Sequence, residues 1–411
     1  MSAQTTVFSS GSNGSDGALD FTGAPPGLIV FDPAKLNPPL NPRSDNIFNF
    51  TTITIPSGVT IRLSGRVLTG PVFWLASGDV RIDGGIDLTG ENSTGTSLVL
   101  DHLTRAMPGA GGFSGGFGGK VDTTLVIGGQ PAALPGDGPG GGAAGGTGFG
   151  SRFGGCFGNT GTGGSFTGNQ FLVPLVGGSG GGGANFLGAL PTTPYAEGGG
   201  AGGGAILIAS STSITINGVI NANGGSAPRA GGQICDSDLS GGAGAGGAIR
   251  LAAPTISGSG TLTAREGGAT VGPTGAQGGF IRLETFNDNF RGSFNSTAFT
   301  MASPFGVFLP SPHPSVKVVS VDNATIAQPP VGNIAFPDVS INNTGPVTVT
   351  IEAHFIPVGT VLSLHILSDN NTDQTVQTTP LAGTLETSTC TATVTFPGSF
   401  SLGFAKAVWS Q

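Results

Sequence analysis

The sequence predicts an all-β protein: a parallel β-helix with a glycine-rich insertion, followed by an immunoglobulin-like β-sandwich. Three observations predict it. Glycine supplies 77 of 411 residues while charged residues make up only 9%. Short pairs of alternating aliphatics recur in a fixed order over residues 45–300. Beyond residue 315 glycine thins out and longer Thr/Val alternation takes over.

Composition sets the class. Ordinary globular chains carry about 7% glycine and about 25% charged residues. Disorder requires low hydrophobicity with high net charge, whereas this chain is 37% hydrophobic with a net charge of −8. An ordered, glycine-rich β protein follows. Lys and Arg total 15 and are widely spaced, which leaves no basic patch to neutralise phosphates and excludes nucleic acid as a partner. No apolar run approaches the roughly 18 residues of a membrane span. The opening MSAQTTVFSSGSNGSDG has neither a charged nor an apolar targeting region, so no signal peptide is visible. Abundant Thr, Ser, Asn and Gly with few charges or thiols still point to an extracellular or cell-surface location, reached from an upstream start or by another export route. Three cysteines, Cys156, Cys235 and Cys390, leave an odd one. Cys156 and Cys235 share glycine-rich surroundings and are candidates to pair, with Cys390 a lone buried thiol. No C-x-x-C pattern supports a metal.

Residues 1–44 form an irregular extension with two apolar pieces, TTVF (5–8) and LIVF (28–31). The repeats follow. PVFWLASGDVRIDGGIDLTG (71–90) aligns with AILIASSTSITINGVINANG (205–224). In that alignment Phe73 and Leu75 match Ile206 and Ile208, Val80 and Ile82 match Ile214 and Ile216, and Ile86 and Leu88 match Ile220 and Ala222. Further copies place Ile249, Leu251, Ile256, Leu262 and Ala264, then Ile281 and Leu283. A partial earlier copy holds Ile53, Ile55, Val59, Ile61 and Leu63. Period two sends both members of each pair to one face. Gly and Asn between pairs are expected to turn corners at positive φ. Three short strands per repeat make one coil, and stacked coils share the core that one coil cannot bury. The competing sandwich of hairpins would need two-residue Asn-Gly loops between long strands. Only Asn217-Gly218 offers one, and its match to Gly84 marks a corner.

Residues 91–200 interrupt the repeats with polyglycine and with Phe113, Phe117, Phe149, Phe153, Phe157, Phe166, Phe171 and Phe186. Solvent-exposed phenylalanines are a liability, and glycine lets backbones approach closely. The insertion is therefore expected to form extended glycine strands beside the coils, anchored by Phe. A Pro-rich linker occupies 301–315. Residues 316–411 hold about seven short strands broken by polar turns, the pattern of an immunoglobulin-like sandwich. Its thiol, Cys390, has no strand partner, and Trp409 lies at the end, so the antibody-type core is absent.

No catalytic, cofactor-binding or metal-binding residues are predicted. Asp79, Asp83 and Asp87 are the nearest to a glycosidase carboxylate pair, which needs about 5–10 Å between groups, but alternation turns them to a solvated outer face. Glu266 and Glu284 stand isolated, and His102, His313, His354 and His365 share no motif. Glycine-rich loops here lack the helix and lysine of a nucleotide site. The turns SNGSDG (12–17) and SDNNTD (368–373) have oxygen ligands suited to Ca²⁺, and polar turn chemistry explains them better. N-x-S/T sequons stand at Asn49, Asn92, Asn295, Asn323, Asn342 and Asn370.

A sandwich that lacks a strand can accept one from a neighbour. The uncharged stretch around Thr5, Thr6, Val7 and Phe8 is the candidate inter-subunit strand. Its competing role is a cap on the first coil of its own chain. The runs GSNGSDGALDF (11–21), TTITIPSGVTIRLSG (51–65) and ITINGVINANGG (214–225) resemble secreted glycine-rich β-helix proteins of environmental bacteria. The whole resembles extracellular fibril subunits that join a β-helix to an immunoglobulin-like domain. That resemblance implies a non-enzymatic subunit of a filament or surface assembly, polymerising head to tail as a homo-oligomer by donor-strand exchange, with glycans as a further candidate partner. Two alternatives stay open: a carbohydrate-active or carbohydrate-binding β-helix, and a phage or cell-surface adhesin.

Overall fold

A computed structural model describes residues 7–40, 45–93, 105–119, 133–145, 152–153, 156–159, 161–187, 197–227, 241–268, 275–309, 314–328, 330, 332, 336–368, 373–396, 398 and 400–407. Among these the fold is β throughout, apart from one 3₁₀ turn at Pro33–Lys35. The chain divides into two compact units, Met1–Pro310 and Ser311–Gln411.

In the first unit the main strands form three columns with parallel pairing throughout, visited in the same order on each pass of the chain. The first column stacks Ile47–Phe50, Val72–Ala76, Ala205–Ser210, the first half of Ala248–Gly258, the first half of Phe280–Phe290, and Ala298–Ala302. The second stacks Leu19–Asp20, Ile53–Ile55, Val80–Ile82, Ser213–Ile216 and the second halves of the two long strands. The third runs from Gly27–Val30 through Val59–Arg62, Gly85–Asp87, Val219–Asn221 and Thr261–Ala264 to Ser293–Ser296. Inward residues of matching register form one core. Ile53, Val80, Ile214 and Ile256 share a row, as do Ile61, Ile86, Ile220 and Leu262. At one end that core is aromatic: Phe31, Phe48, Phe50 and Trp74 meet edge-on or stacked at 5.2–6.3 Å.

Three expectations need correction. First, Val72 and Trp74, not Phe73 and Leu75, pair with Ile206 and Ile208. A one-residue slip changes the face, so Phe73 and Leu75 point outward into a second cluster with Leu207, Leu172 and Leu175. The run VFWLA is buried on both faces, which is why its pattern does not alternate. Second, two passes replace the first corner with a single long strand, Ala248–Gly258 and Phe280–Phe290. Pro254 fits there because it stands level with the Ser211–Thr212 break of the pass before, where no ladder bond is lost. Third, the corner glycines are mostly needed for close approach and not for positive φ. Gly84, Gly218, Gly260 and Gly292 stack in a column in which a Cβ on Gly218, Gly260 or Gly292 would strike the carbonyl oxygen of the glycine before it. Asn217-Gly218 sits in this column as a corner, not as a hairpin loop.

The second unit is antiparallel. One sheet orders Ala324–Thr325, Ser315–Val321, Val347–His354, Ser388–Val394 and Ala382–Gly383; the other orders Gln374–Pro380, Val361–Ser368 and Ser401–Lys406. Alternation in VTVTIEAH buries Val347, Val349, Ile351 and Ala353. They share a core with Leu362, Leu364, Ile366 and Cys390. Cys390 is a free, buried thiol, and burial raises its pKa.

Candidate functional site

The described parts of the insertion, with residues 241–247, form a bundle held chiefly by backbone hydrogen bonds, with the side chains of Ser179 and Asn185 joining in. Residues 177–184 run through its centre. The amides of Gly178, Gly181 and Ala184 donate to the carbonyls of Gly203, Gly200 and Glu197. Those of Gly180 and Gly183 donate to Asp137 and Leu134, and that of Gly182 to Thr162, all at 2.8–3.0 Å. The carbonyls of Gly178, Gly181 and Ala184 accept from Phe113, Gly116 and Gly119. Residues three apart thus reach the same neighbour. Period three is the repeat of the extended threefold helix, which makes no bonds to itself and offers all its polar groups to others. The adjacent segment behaves alike. Gly199 and Gly202 donate to Gly116 and Phe113, Gly200 and Gly203 to Gly242 and Ala245, and Ala201 and Gly204 to Glu91 and Leu88. Glycine is required because a Cβ on Gly181 would strike the backbone of Gly242, and one on Gly202 the backbone of Gly178. The expected glycine strands are therefore a threefold bundle, not a sheet. Of the expected anchors, Phe117 is buried and Phe166 packs on the outer cluster, while Phe171 is 50% exposed. Phe149 lies outside the described residues, and of Phe153, Phe157 and Phe186 only the backbone is described.

Register also orders the bundle along its length. Leu88, Gly204 and Gly247 mark the end against the columns. At the opposite end the Gly119 amide donates to the Ala184 carbonyl and the Ala184 amide to that of Glu197. An antiparallel three-stranded sheet of Arg152–Phe153, Cys156–Asn159 and Asn185–Leu187 belongs to this end. Cys235 and the side chain of Cys156 lie outside the described residues.

Glu197 lies at this far end, its carbonyl accepting from the Ala184 amide. It is 2% exposed, and neither carboxylate oxygen has a hydrogen-bond partner among the described residues. Burial pushes its pKa up to about 8. The folded chain holds the proton that the unfolded chain releases above its ordinary value of 4.5. Stability is therefore full below that value and falls as pH rises towards about 8. Glu197→Gln is expected to match the parent at pH 4 and to exceed it at pH 8 by on the order of 2–4 kcal/mol. Urea melts at both pH values check this.

The three outer aspartates each tie one pass to another. Asp79 accepts from Thr212 and Ser213 at 2.6 and 2.8 Å, and these bonds hold its pKa below the usual carboxylate value. Asp83 accepts from Arg81 and Asn217, and Asp87 pairs with Arg62 at 2.8 Å. Asp16 of the SNGSDG turn accepts from the Asn49 amide. Glu284, expected to be isolated, is not. It is 0% exposed between two arginines, 2.9 Å from Arg250 and 2.7 Å from Arg282. Arg282 also donates to the Gln170 carbonyl, and Phe305 lies 4.5 Å from the Arg250 guanidinium and 5.2 Å from that of Arg282. The cluster clamps two coverings, around residues 170 and 305, to the outer face of the first column. Its signal was present in the matched repeats AIRL and FIRLE, which place Arg250 beside Arg282.

Phe8 is 6% exposed and packs on its own chain against the outer cluster, while Val7 is 85% exposed. Thr5 and Thr6 lie outside the described residues. Ser10 fixes the segment by donating to the Ala76 carbonyl at 2.7 Å. His354 bonds Glu352 and the Glu386 carbonyl, and His365 stacks on Phe404 at 5.0 Å. His102 and His313 lie outside the described residues. No group of three or more potential metal ligands occurs among the described residues. No helix there is long and apolar enough to cross a membrane. Comparison with family models, curated proteins and solved structures gives no match.

Proposed function

We propose that the chain is a structural, non-enzymatic subunit of an extracellular filament or surface assembly. It would be built from a parallel β-helix followed by an immunoglobulin-like sandwich. The β-helix reading is supported by three columns visited in constant order with matching register. The sandwich reading is supported by two antiparallel sheets that contribute to one core. The observation that carries the function is how the backbone is used. Three ladder columns and a bundle cross-bonded through backbone amides and carbonyls tie successive passes of the first unit to one another. Head-to-tail growth by donation of the strand around Thr5–Phe8 to a neighbour's sandwich requires Phe8 to leave its seat on its own chain. Purified protein examined by negative-stain microscopy is expected to show regular fibres that deletion of residues 1–10 abolishes. Fibres that persist after the deletion would remove the donor strand, and single particles at high concentration would remove the filament.

A further inference from the structure

The chain enters the first unit along a seam of side chains, not in a ladder. Phe8 and Ser10 are buried while Val7, Ser9 and Gly11 are exposed, the alternation of an extended segment with one face down. Backbone groups of such a segment ordinarily pair with other backbone. Here, among the described residues, no amide or carbonyl of residues 7–13 bonds to another backbone group. Side chains hold the segment instead. The Ser12 hydroxyl donates to the Phe50 carbonyl and the Ser10 hydroxyl to that of Ala76, both at 2.7 Å. The Ser10 amide donates to the Ser211 hydroxyl at 3.0 Å. Phe8 joins the cluster of Phe73, Leu75, Leu172 and Leu207. Phe50 and Ala76 end first-column strands on successive passes, and Ser211 follows the end of the next. The seat thus draws on residues before, within and after the insertion, and is complete only when all three are in place. Ladder pairing begins later, where Leu19 meets Ile53. Between lie Gly11, Gly14 and Gly17, all at positive φ, a conformation glycine takes freely.

We infer that this seat is an autoinhibitory catch, which stores the N-terminal segment on its own subunit and so controls when it is donated. The inference rests on the strand-donation reading and supplies its regulation. The stored segment makes no ladder, so an edge strand of a neighbour can offer it backbone bonds that its own subunit does not. Val7, 85% exposed, is an apolar side chain that the seat leaves unused. Against release stand one buried phenylalanine and a few bonds to hydroxyls, each a modest net contribution. A catch of that size delays donation without preventing it. Its parts come from both sides of the insertion, so it is set only on a completed first unit.

The test uses the full chain, followed by light scattering and negative-stain microscopy. Ser211→Ala removes a partner in the seat and leaves the segment itself unchanged. It is expected to shorten the lag before fibres by roughly threefold or more, the scale of one hydrogen bond. Ser10→Cys with Ser211→Cys, in a chain whose native cysteines are replaced by serine, is expected to form a disulfide. The two hydroxyls lie 3.0 Å apart, which puts the sulfurs within bonding reach. The oxidised form is expected to stay as single particles and the reduced form to grow fibres. Fibres from the oxidised form overturn the catch and leave the filament standing. So does a lag that Ser211→Ala leaves unchanged, and this variant decides the matter should the disulfide fail to form. Absence of fibres from the parent, Ser211→Ala and the reduced form alike would fell the filament reading and the inference with it.

Discussion

Gly181→Ala is expected to unfold the glycine bundle. The added methyl would fall on the backbone of Gly242, with the Gly242 oxygen and carbon both inside contact distance. Backbone cannot swing aside as a side chain can. The Gly181 amide and carbonyl are also bonded to Gly200 and Gly116, so any retreat strains two further segments. A loss of more than about 4 kcal/mol is expected, in the range reserved for severe overpacking. Thermal melting and limited proteolysis measure it. Gly306→Ala is the control: a Cβ there meets nothing within 4 Å, so its melt should shift little. Equal melts for both variants would dismiss the threefold bundle as described.

Glu284→Gln is expected to cost about 3–5 kcal/mol, the usual effect of removing one partner from a buried ion cluster. Two guanidiniums would remain beside a neutral amide, 2% and 4% exposed at their side chains. The coverings around Gln170 and Phe305 should loosen first, and new proteolytic cleavage in residues 166–175 or 303–309 would report it. Replacing Arg250, Arg282 and Glu284 together by apolar residues of similar size is expected to restore most of the loss. Denaturant melts of the single and triple variants decide it, and a single variant as stable as the parent would show that the cluster holds nothing down.

Much of the column architecture was legible in the sequence because isolated aliphatic pairs have one interpretation. In SITI and VRI the inward positions are unambiguous, and Ile214 does pair with Val80. In VFWLA they are not, because a strand covered on both faces has no polar phase to read. The bundle was hidden for a deeper reason. Its period of three lies in which neighbour each amide reaches, and glycine has no side chain to print that order on the sequence. Glu284 could have been found by asking what lies outward at matched positions of successive repeats. Glu197 carried no signal, since its isolation comes from segments remote in sequence. The second unit was the easiest, because VTVTIEAH alternates in the ordinary way.

The bundle has one more consequence, for the order of events in folding. The carbonyl of Leu88 is bonded to Gly204 across the whole insertion, and Gly164 receives Gln277. No segment of the bundle can be completed from its own vicinity. Loop closures must come before the bonds that reward them, which slows folding. Reversal is hindered by the same wiring, because the central segment must release several neighbours before it is free. A chain of this design should assemble late and then persist, its lifetime set by the unfolding barrier more than by equilibrium stability.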